Sequence, residues 1–315
     1  MGEITAEALR QRLEKGERLS VLDVRSAGLF AMWTLPGALH CDLAQVDTFD
    51  PLARDRPVVV LASDDRTAGA AAQTLRERGF DAHTLAGGFA AWADRAWNVA
   101  EVALPLARAR IVQVRQTGTG CLSYLIGSAG EAAVVDPSLE PARYLDLARE
   151  RGWTLRHVVE THTHSDHVSR ARELADAASA KLATLAEDGA SLRVGETDLT
   201  AIRTPGHTPD SVCFLVEKRA LLTGDTLYLD TVGQPEFRGA APAQARTRAL
   251  ALRTSLDRIF AFAPDTLVLP GHSDKAVPFD RRPLVGTLRQ TRDRVPLLSL
   301  PRDEFVERIL DRAPR

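Results

Sequence analysis

Residues 161–167, Thr161-His162-Thr163-His164-Ser165-Asp166-His167 ("THTHSDH"), place three histidines and an aspartate in one short run. The chain has 8 histidines in all. His207 and His272 stand in "TPGHTPDS" and "LPGHSD", and only His40, His83 and His157 lie elsewhere. Each cluster follows an apolar run: "RHVVE" before His162, "TDLTAIR" before His207, "ALLTG" before Asp225 and "DTLVLP" before His272. Such runs read as buried strands. Strands that end in ligating side chains bring distant segments together at one sheet edge. Imidazole and carboxylate donors suit zinc, iron or manganese. His162 and His164, two residues apart in a loop, can aim at one ion, and Asp166 and His167 can face a neighbouring one. Asp225 stands where a carboxylate can bridge two ions or bind one terminally. His40, His83 and His157 are each alone among apolar neighbours and read as ordinary core or surface histidines.

The bulk numbers fit this picture. At 315 residues the chain suits two domains rather than one. Its 44% hydrophobic and 26% charged content is that of a soluble globular protein. A formal charge of −2 argues against nucleic acid or an anionic membrane as partner. No apolar run approaches the roughly 20 residues needed to span a bilayer. The start "MGEITAEALRQRLEKGE" is too acidic and too polar for a signal peptide. Three widely spaced cysteines, Cys41, Cys121 and Cys213, do not form a disulfide framework and point to the reducing cytoplasm.

The first hundred residues alternate strands with helices. "LSVLDV", "RPVVVLA" and "FDAHTLA" read as strands, "RTAGAAAQTLRERG" as a helix stopping at Gly79, and "GGFAAWADR" as a closing helix. That order implies a parallel sheet covered on both faces. "NVAEVALPLARAR" has no glycine turn and connects the two halves. The boundary falls at 104/105, giving domains 1–104 and 105–315. In the second half "EPARYLDLARERG" is an amphipathic helix, "ASLRVGETDLTAIR" a hairpin, and "SVCFLVEKRALLTGD" two strands around the turn "EKR". After His272 only one helix is expected, in "SLPRDEFVERILDRAPR".

Two resemblances follow from these motifs. "LDVRSAGLFAMWTLPGAL" and "LAGGFAAW" resemble the rhodanese family across the first domain. The sulfur-transferring members carry a cysteine in the loop after the fourth strand. Here the loop reads "VVVLASDDRTAG", with Leu61 or Ala62 in place of the nucleophile, and Asp64 and Asp65 would repel a persulfide anion. Without the thiol there is no covalent sulfur carrier. The domain is expected to be catalytically inactive, to pack on the metal domain, and to shape a substrate entrance or a homodimer contact. "THTHSDH", "TPGHTPDS", "TGDTL" and "LPGH", in this order, resemble the metallo-β-lactamase-fold superfamily from about Ile111 onward. The combined expectation is an α/β chain: a rhodanese-like parallel-sheet domain followed by an αββα sandwich with the metal site at one edge.

The resemblance implies two ligand sets. In the dinuclear hydrolases, positions matching His162, His164 and His207 hold one zinc, those matching Asp166, His167 and His272 hold the second, and Asp225 bridges. In the persulfide dioxygenases one Fe(II) per chain is held through His162, His207 and Asp225, with the other four residues around them. The fusion to a rhodanese-like domain, the wording of "GTGCLSYLIG" and "ETHTHSDHVS", and the absence of a long helical C-terminal domain favour the dioxygenase branch. The expected reaction is oxidation of a thiol persulfide, such as glutathione persulfide, to sulfite. The alternative is a dinuclear zinc, glyoxalase II-like hydrolase of glutathione thioesters, and a lesser one is a non-enzymatic sulfur-responsive binding protein. One departure bears on the substrate. The dioxygenases carry an arginine in a Gly-Arg-x-Asp-Phe stretch, whereas this chain reads Gly233-Gln234-Pro235-Glu236-Phe237, with Arg238 next. Glutamine cannot pair with a substrate carboxylate as arginine does.

Overall fold

Val58–Leu61 is a run of four apolar residues, all fully buried. A strand covered on both faces must be apolar at every position, and its side chains alternate between two cores. In the computed structural model, which describes residues 2–103, 106–163, 169–235, 242–273, 275 and 277–312, that alternation is explicit. Val58 and Val60 join Ala68, Ala71, Ala72 and Leu75 in one cluster, while Val59 and Leu61 join Leu9, Leu85 and Trp92 in another.

The chain divides into two compact units. The first comprises Met1–Val99 with two later segments, Arg115–Cys121 and Ser273–Arg281. Its strands are β1 (Glu3–Ile4), β2 (Ser20–Asp23), β3 (Leu39–His40), β4 (Val58–Leu61) and β5 (Ala82–Leu85), in the order β1-β5-β4-β2-β3. All four pairings are parallel. Its helices are α1 (Ala6–Glu14), α2 (Ala27–Met32), α3 (Asp65–Glu77) and α4 (Gly88–Arg95). The expected helix before Gly79 is α3, which buries Ala68, Ala71, Ala72 and Leu75 at helical spacing.

No thiol stands at the end of β4, where Leu61 is the last strand residue and Ala62 the first beyond it. Leu61 packs with Trp92, and Ala62 packs in the cluster beneath α3, both fully buried. Asp64 caps α3: its carboxylate accepts from the Thr67 backbone N–H and from the Thr67 hydroxyl, both at 2.8 Å. The backbone bond, then the hydroxyl, hold Asp64 below the usual carboxylate range. The helix terminus is thus capped by the chain's own anion. Cys41 is buried and its thiol is pushed up by that burial, so it offers little thiolate.

The second unit comprises Ala100–Val114, Leu122–His272 and Arg282–Arg315. One sheet contains β6 (Trp97–Val102), β7 (Arg110–Gln116), β8 (Leu122–Ser128), β9 (Glu131–Val135), β10 (Thr154–Val159) and β11 (Lys181–Leu182), ordered β11-β10-β9-β8-β7-β6. The other contains β12 (Ser191–Val194), β13 (Thr197–Arg203), β14 (Val212–Val216), β15 (Ala220–Gly224), β16 (Leu267–Pro270) and β17 (Gly286–Thr287), in sequence order. Tyr124, Ile126 and Val135 from the first sheet interlock with Leu199, Phe214 and Leu222 from the second. On the far side of the second sheet, Cys213, Leu215 and Leu221 meet helices α7 (Pro242–Ile259), α8 (Leu288–Arg294) and α9 (Arg302–Leu310). Helices α5 (Pro141–Glu150) and α6 (Ala171–Ala178) pack on β10. The layers are therefore αββα.

Two expectations need correction. The connection "NVAEVALPLARAR" is partly a strand, β6, whose residues alternate between partly exposed and buried. Leu104 and Pro105, where the boundary was drawn, lie outside the described residues. Among the described residues beyond His272 there are two α-helices rather than one. Residues 288–294, "LRQTRDR", carry too few apolar side chains to show a helical stripe. The helix is instead started by a capping box in which Thr287 and Gln290 bond each other's backbone. Among the described residues, no helix is long and apolar enough to cross a membrane.

The Asp-Val-Arg stretch of the first unit has a physical role that yields a test. Asp23, fully buried at the end of β2, accepts from Arg25 Nη2 at 2.7 Å and from Arg25 Nε at 3.0 Å. The Arg25 guanidinium lies 4.0 Å from the centroid of the Phe89 ring and also donates to the Trp33 carbonyl. Arg25→Met leaves a buried carboxylate without its cation and is expected to cost about 3–5 kcal/mol. Trp33, Trp92 and Trp97 lie in this unit, so tryptophan fluorescence during urea unfolding reads the loss. A change below about 1 kcal/mol, the range of exposed pairs, would contradict the assignment.

Candidate metal centre

Strand direction brings candidate ligating residues together. β13 and β15 are both antiparallel to β14, and β16 is parallel to β15. The C-terminal ends of β13, β15 and β16 therefore lie at one edge, where His207, Asp225 and His272 follow them. β10 of the other sheet delivers His162 to the same edge, because the Thr161 carbonyl accepts from Val212 N–H at 2.8 Å. Two glycines allow this convergence. Gly224, with φ +47°, would put a Cβ 2.5 Å from Thr161 Oγ1, and a Cβ at Gly271 would lie 2.7 Å from Asp225 Oδ1. The motifs "TGD" and "PGH" thus need glycine because chain segments crowd against the site.

His162, His207 and Asp225 each present a ligand atom, and the three atoms lie within 4.8 Å of one another. His162 is 5% and Asp225 7% exposed, so both are largely shielded from water. The two imidazole rings meet edge to face at 4.9 Å, and His207 Nε2 lies 3.9 Å from Asp225 Oδ2.

The hydrogen bonds behind the rings fix which nitrogen is available. His207 Nδ1 lies 2.7 Å from the Gln234 carbonyl oxygen, which can only accept, so Nδ1 carries the proton. The Thr161 hydroxyl donates its one proton to Asp136 Oδ2 at 2.7 Å, so toward His162 Nδ1, at 2.9 Å, it must accept. Both rings therefore hold their proton on Nδ1 and keep the Nε2 lone pair for a ligand. An imidazole fixed from behind by a carbonyl, or by a hydroxyl-carboxylate pair, is the usual support of a metal ligand. The donor set of two neutral imidazoles and one carboxylate fits a divalent transition metal.

Other residues hold the loops. Asp136 also accepts from Thr161 N–H at 2.7 Å. Asp210 accepts from Thr163 N–H at 3.0 Å and from the hydroxyls of Thr163 and Thr208, both at 2.6 Å. It joins the chain just after His162 to the chain just after His207. Tyr124, buried between the sheets, donates to the Pro270 carbonyl at 2.6 Å and steadies the strand end before His272. Sequence reasoning named none of these as site residues. The available signal was a carboxylate or hydroxyl at a strand end, as in "VVDPS" and "TPDS".

His164, Asp166 and His167 lie outside the described residues, as do Glu236, Phe237 and Arg238. His272 is half-buried after β16 and stands outside the three-residue group. Of the remaining histidines, His40 Nε2 bonds the Arg25 carbonyl and His83 pairs with the exposed Asp81. His157 is half-buried in β10, and its pKa is lowered, chiefly by that burial. Burial pushes the Cys213 thiol up to about 12, which leaves it inert.

Residues 116–197 and 181–272 match the model of the metallo-beta-lactamase superfamily, and residues 5–95 match that of the rhodanese-like domain. The chain thus carries a metallo-beta-lactamase domain preceded by a rhodanese-like domain. Among curated proteins it is 29% identical over 236 residues to the human mitochondrial persulfide dioxygenase ETHE1, covering 66% of this chain and 88% of that one. It is 34% identical over 173 residues to a hydroxyacylglutathione hydrolase of Cereibacter sphaeroides, covering 48% of this chain and 64% of the hydrolase. Among solved structures, ETHE1 from Myxococcus xanthus superposes with a TM-score of 0.55 at 28% identity, covering 64% of this chain and 91% of the other.

Asp210 gives this centre a pH signature. Burial alone would raise its carboxyl, but the hydrogen bonds from Thr163 and Thr208 hold it below the usual carboxylate range. A depressed folded value means its contribution is fully present above the unfolded value, about 3.9. It is lost as pH falls through the folded value. The Tm gap between metal-free wild type and Asp210→Asn is therefore expected to stay constant from about pH 5 to 8 and to close below about pH 4. A gap that widens on acidification would contradict the role given to Asp210.

Proposed function

We propose that this chain is a non-haem Fe(II) persulfide dioxygenase that oxidises a thiol persulfide, such as glutathione persulfide, to sulfite. The carrying observation is the grouping of His162, His207 and Asp225 within 4.8 Å, each imidazole offering Nε2. Two histidines and one carboxylate are a donor set suited to non-haem Fe(II); one ion per chain held by them would supply activation of O2 and of a sulfur donor. The similarity to ETHE1 proteins in sequence and structure supports the same reading. Overall, RSSH + O2 + H2O gives RSH, sulfite and two protons: the terminal sulfur is oxidised and O2 is the oxidant.

The protein's own groups have defined tasks in this reading. Thr161 and Asp136 keep His162 in the tautomer that presents Nε2, and the Gln234 carbonyl does so for His207. Asp210 holds the spacing between the two histidine loops. The buried flank around His162 and Asp225 limits water near the sulfur. No disulfide joins the three buried cysteines, which supports a reducing compartment, and we place the protein in the cytoplasm.

A second reading is a dinuclear zinc hydrolase of glutathione thioesters, favoured by the 34% identity to the hydroxyacylglutathione hydrolase. It requires His164, Asp166, His167 and His272 as further ligands, with Asp225 bridging. Protein from iron-supplemented cells, assayed in an oxygen electrode with glutathione persulfide, separates the two. The dioxygenase reading predicts one O2 consumed per sulfite formed and no cleavage of S-lactoylglutathione. Thioester cleavage without oxygen uptake would end it.

A further inference from the structure

Gln234 does two things at once. Its backbone carbonyl accepts from His207 Nδ1 at 2.7 Å, and its side-chain Nε2 donates to the Ile309 carbonyl at 3.2 Å. Ile309 lies in the last turn of α9, where its carbonyl accepts from the Arg312 N–H at 3.2 Å and keeps a second lone pair for a further donor. A donor from outside is therefore well placed there. The bond ties the C-terminal helix, through one residue, to the ring of a ligating histidine.

The surroundings make this tie stiff. The loop from Asp225 to Gln234 is closed on itself by the Leu227–Val232 bridge and by Gly233 N–H to the Thr226 carbonyl at 3.2 Å. Leu227 and Val232 are buried in the same cluster as Phe305, Val306 and Ile309 of α9. Arg312, just past the helix, donates to Thr231 Oγ1 at 3.4 Å. Space also fixes the path of the loop, since a Cβ at Gly233 would fall 1.6 Å from the Asp225 carbonyl oxygen. The loop that begins at the ligand Asp225 and ends by orienting the ligand His207 is thus seated on α9.

We propose that Gln234 is a positioning residue: its amide latches the end of α9 and thereby aims the Gln234 carbonyl, and with it the Nε2 of His207, at the metal. This rests on the reading of His207 as a metal ligand. It gives the C-terminal helix a part in metal retention, although no side chain of α9 belongs to the donor set. It also accounts for a glutamine at this position. The amide serves the scaffold, and substrate recognition must come from other groups.

The test uses full-length metal-free protein titrated with Co(II), whose visible absorption reports the ligand field. Gln234→Met removes the donor at similar length, Gln234→Glu sets an acceptor against the carbonyl, and Gln234→Lys restores a donor. The first two are expected to bind the first equivalent of Co(II) about tenfold or more weakly, with an altered spectrum. Gln234→Lys should keep the wild-type spectrum and most of the affinity. Wild-type affinity and spectrum in both Gln234→Met and Gln234→Glu would overturn the latch, whatever their effect on the Tm of metal-free protein. If Gln234→Met does not fold, Gln234→Glu against Gln234→Lys decides alone, and equal behaviour of those two overturns it. His207→Ala is the control. Loss of the first Co(II) equivalent in that variant, with unchanged binding in the Gln234 variants, rejects the latch only. Unchanged binding in His207→Ala rejects the metal reading together with it.

Discussion

An imidazole can offer a metal only the nitrogen that is not protonated, so its ring must be held through the other one. In this chain that requirement is met twice by different means. His162 is held by the Thr161 hydroxyl, itself committed to Asp136, and His207 is held by the backbone of Gln234. Both supports come from loops that the two sheets deliver to one edge. The glycines at 224 and 271 exist to let those loops touch, and the C-terminal helix seats the loop that reaches His207. Remove the demand for two Nε2 lone pairs beside one carboxylate, and much of the detail at this edge has no reason to be there.

The first unit poses the opposite case, a rhodanese-like fold with no cysteine where a nucleophile would stand. A sulfur-carrying loop needs a thiol and free N–H donors around it. Here the last residue of β4, Leu61, packs against Trp92 in one core, and the first residue beyond it, Ala62, packs beneath α3 in the other. The start of α3 is capped by Asp64. The buried Asp23–Arg25 pair, which looks in sequence like part of a functional motif, closes the end of β2 and orders the chain around Trp33. Its role is structural.

Much of this was legible in the residues themselves. Apolar runs ending in histidine or aspartate announced strands that converge on a metal, and the strands from Arg110 to Pro270 follow those runs closely. The helix α7 buries Ala249, Leu252, Leu256 and Ile259 at three- and four-residue spacing, yet it escaped notice among arginines and alanines that favour helix without marking a face. α8 escaped because its start depends on the Thr287–Gln290 capping box rather than on a hydrophobic stripe. In the site, the ligands were legible because imidazole is rare and clustered. Asp136, Asp210 and the backbone role of Gln234 were not, since each acts through hydrogen bonds to groups distant in sequence, and Thr161, although next to His162, takes its role from the distant Asp136. Gln234 acts partly through its backbone, which leaves no mark in the sequence.

The central proposal is that His162, His207 and Asp225, which group together among the described residues, hold one ion, with His272 not among its ligands. Metal per chain, measured by mass spectrometry on wild type and His272→Ala purified from iron-supplemented cells, tests this most directly. The account predicts one iron per chain in the wild type and one still in His272→Ala. Two metals in the wild type, falling to one in the variant, would contradict it.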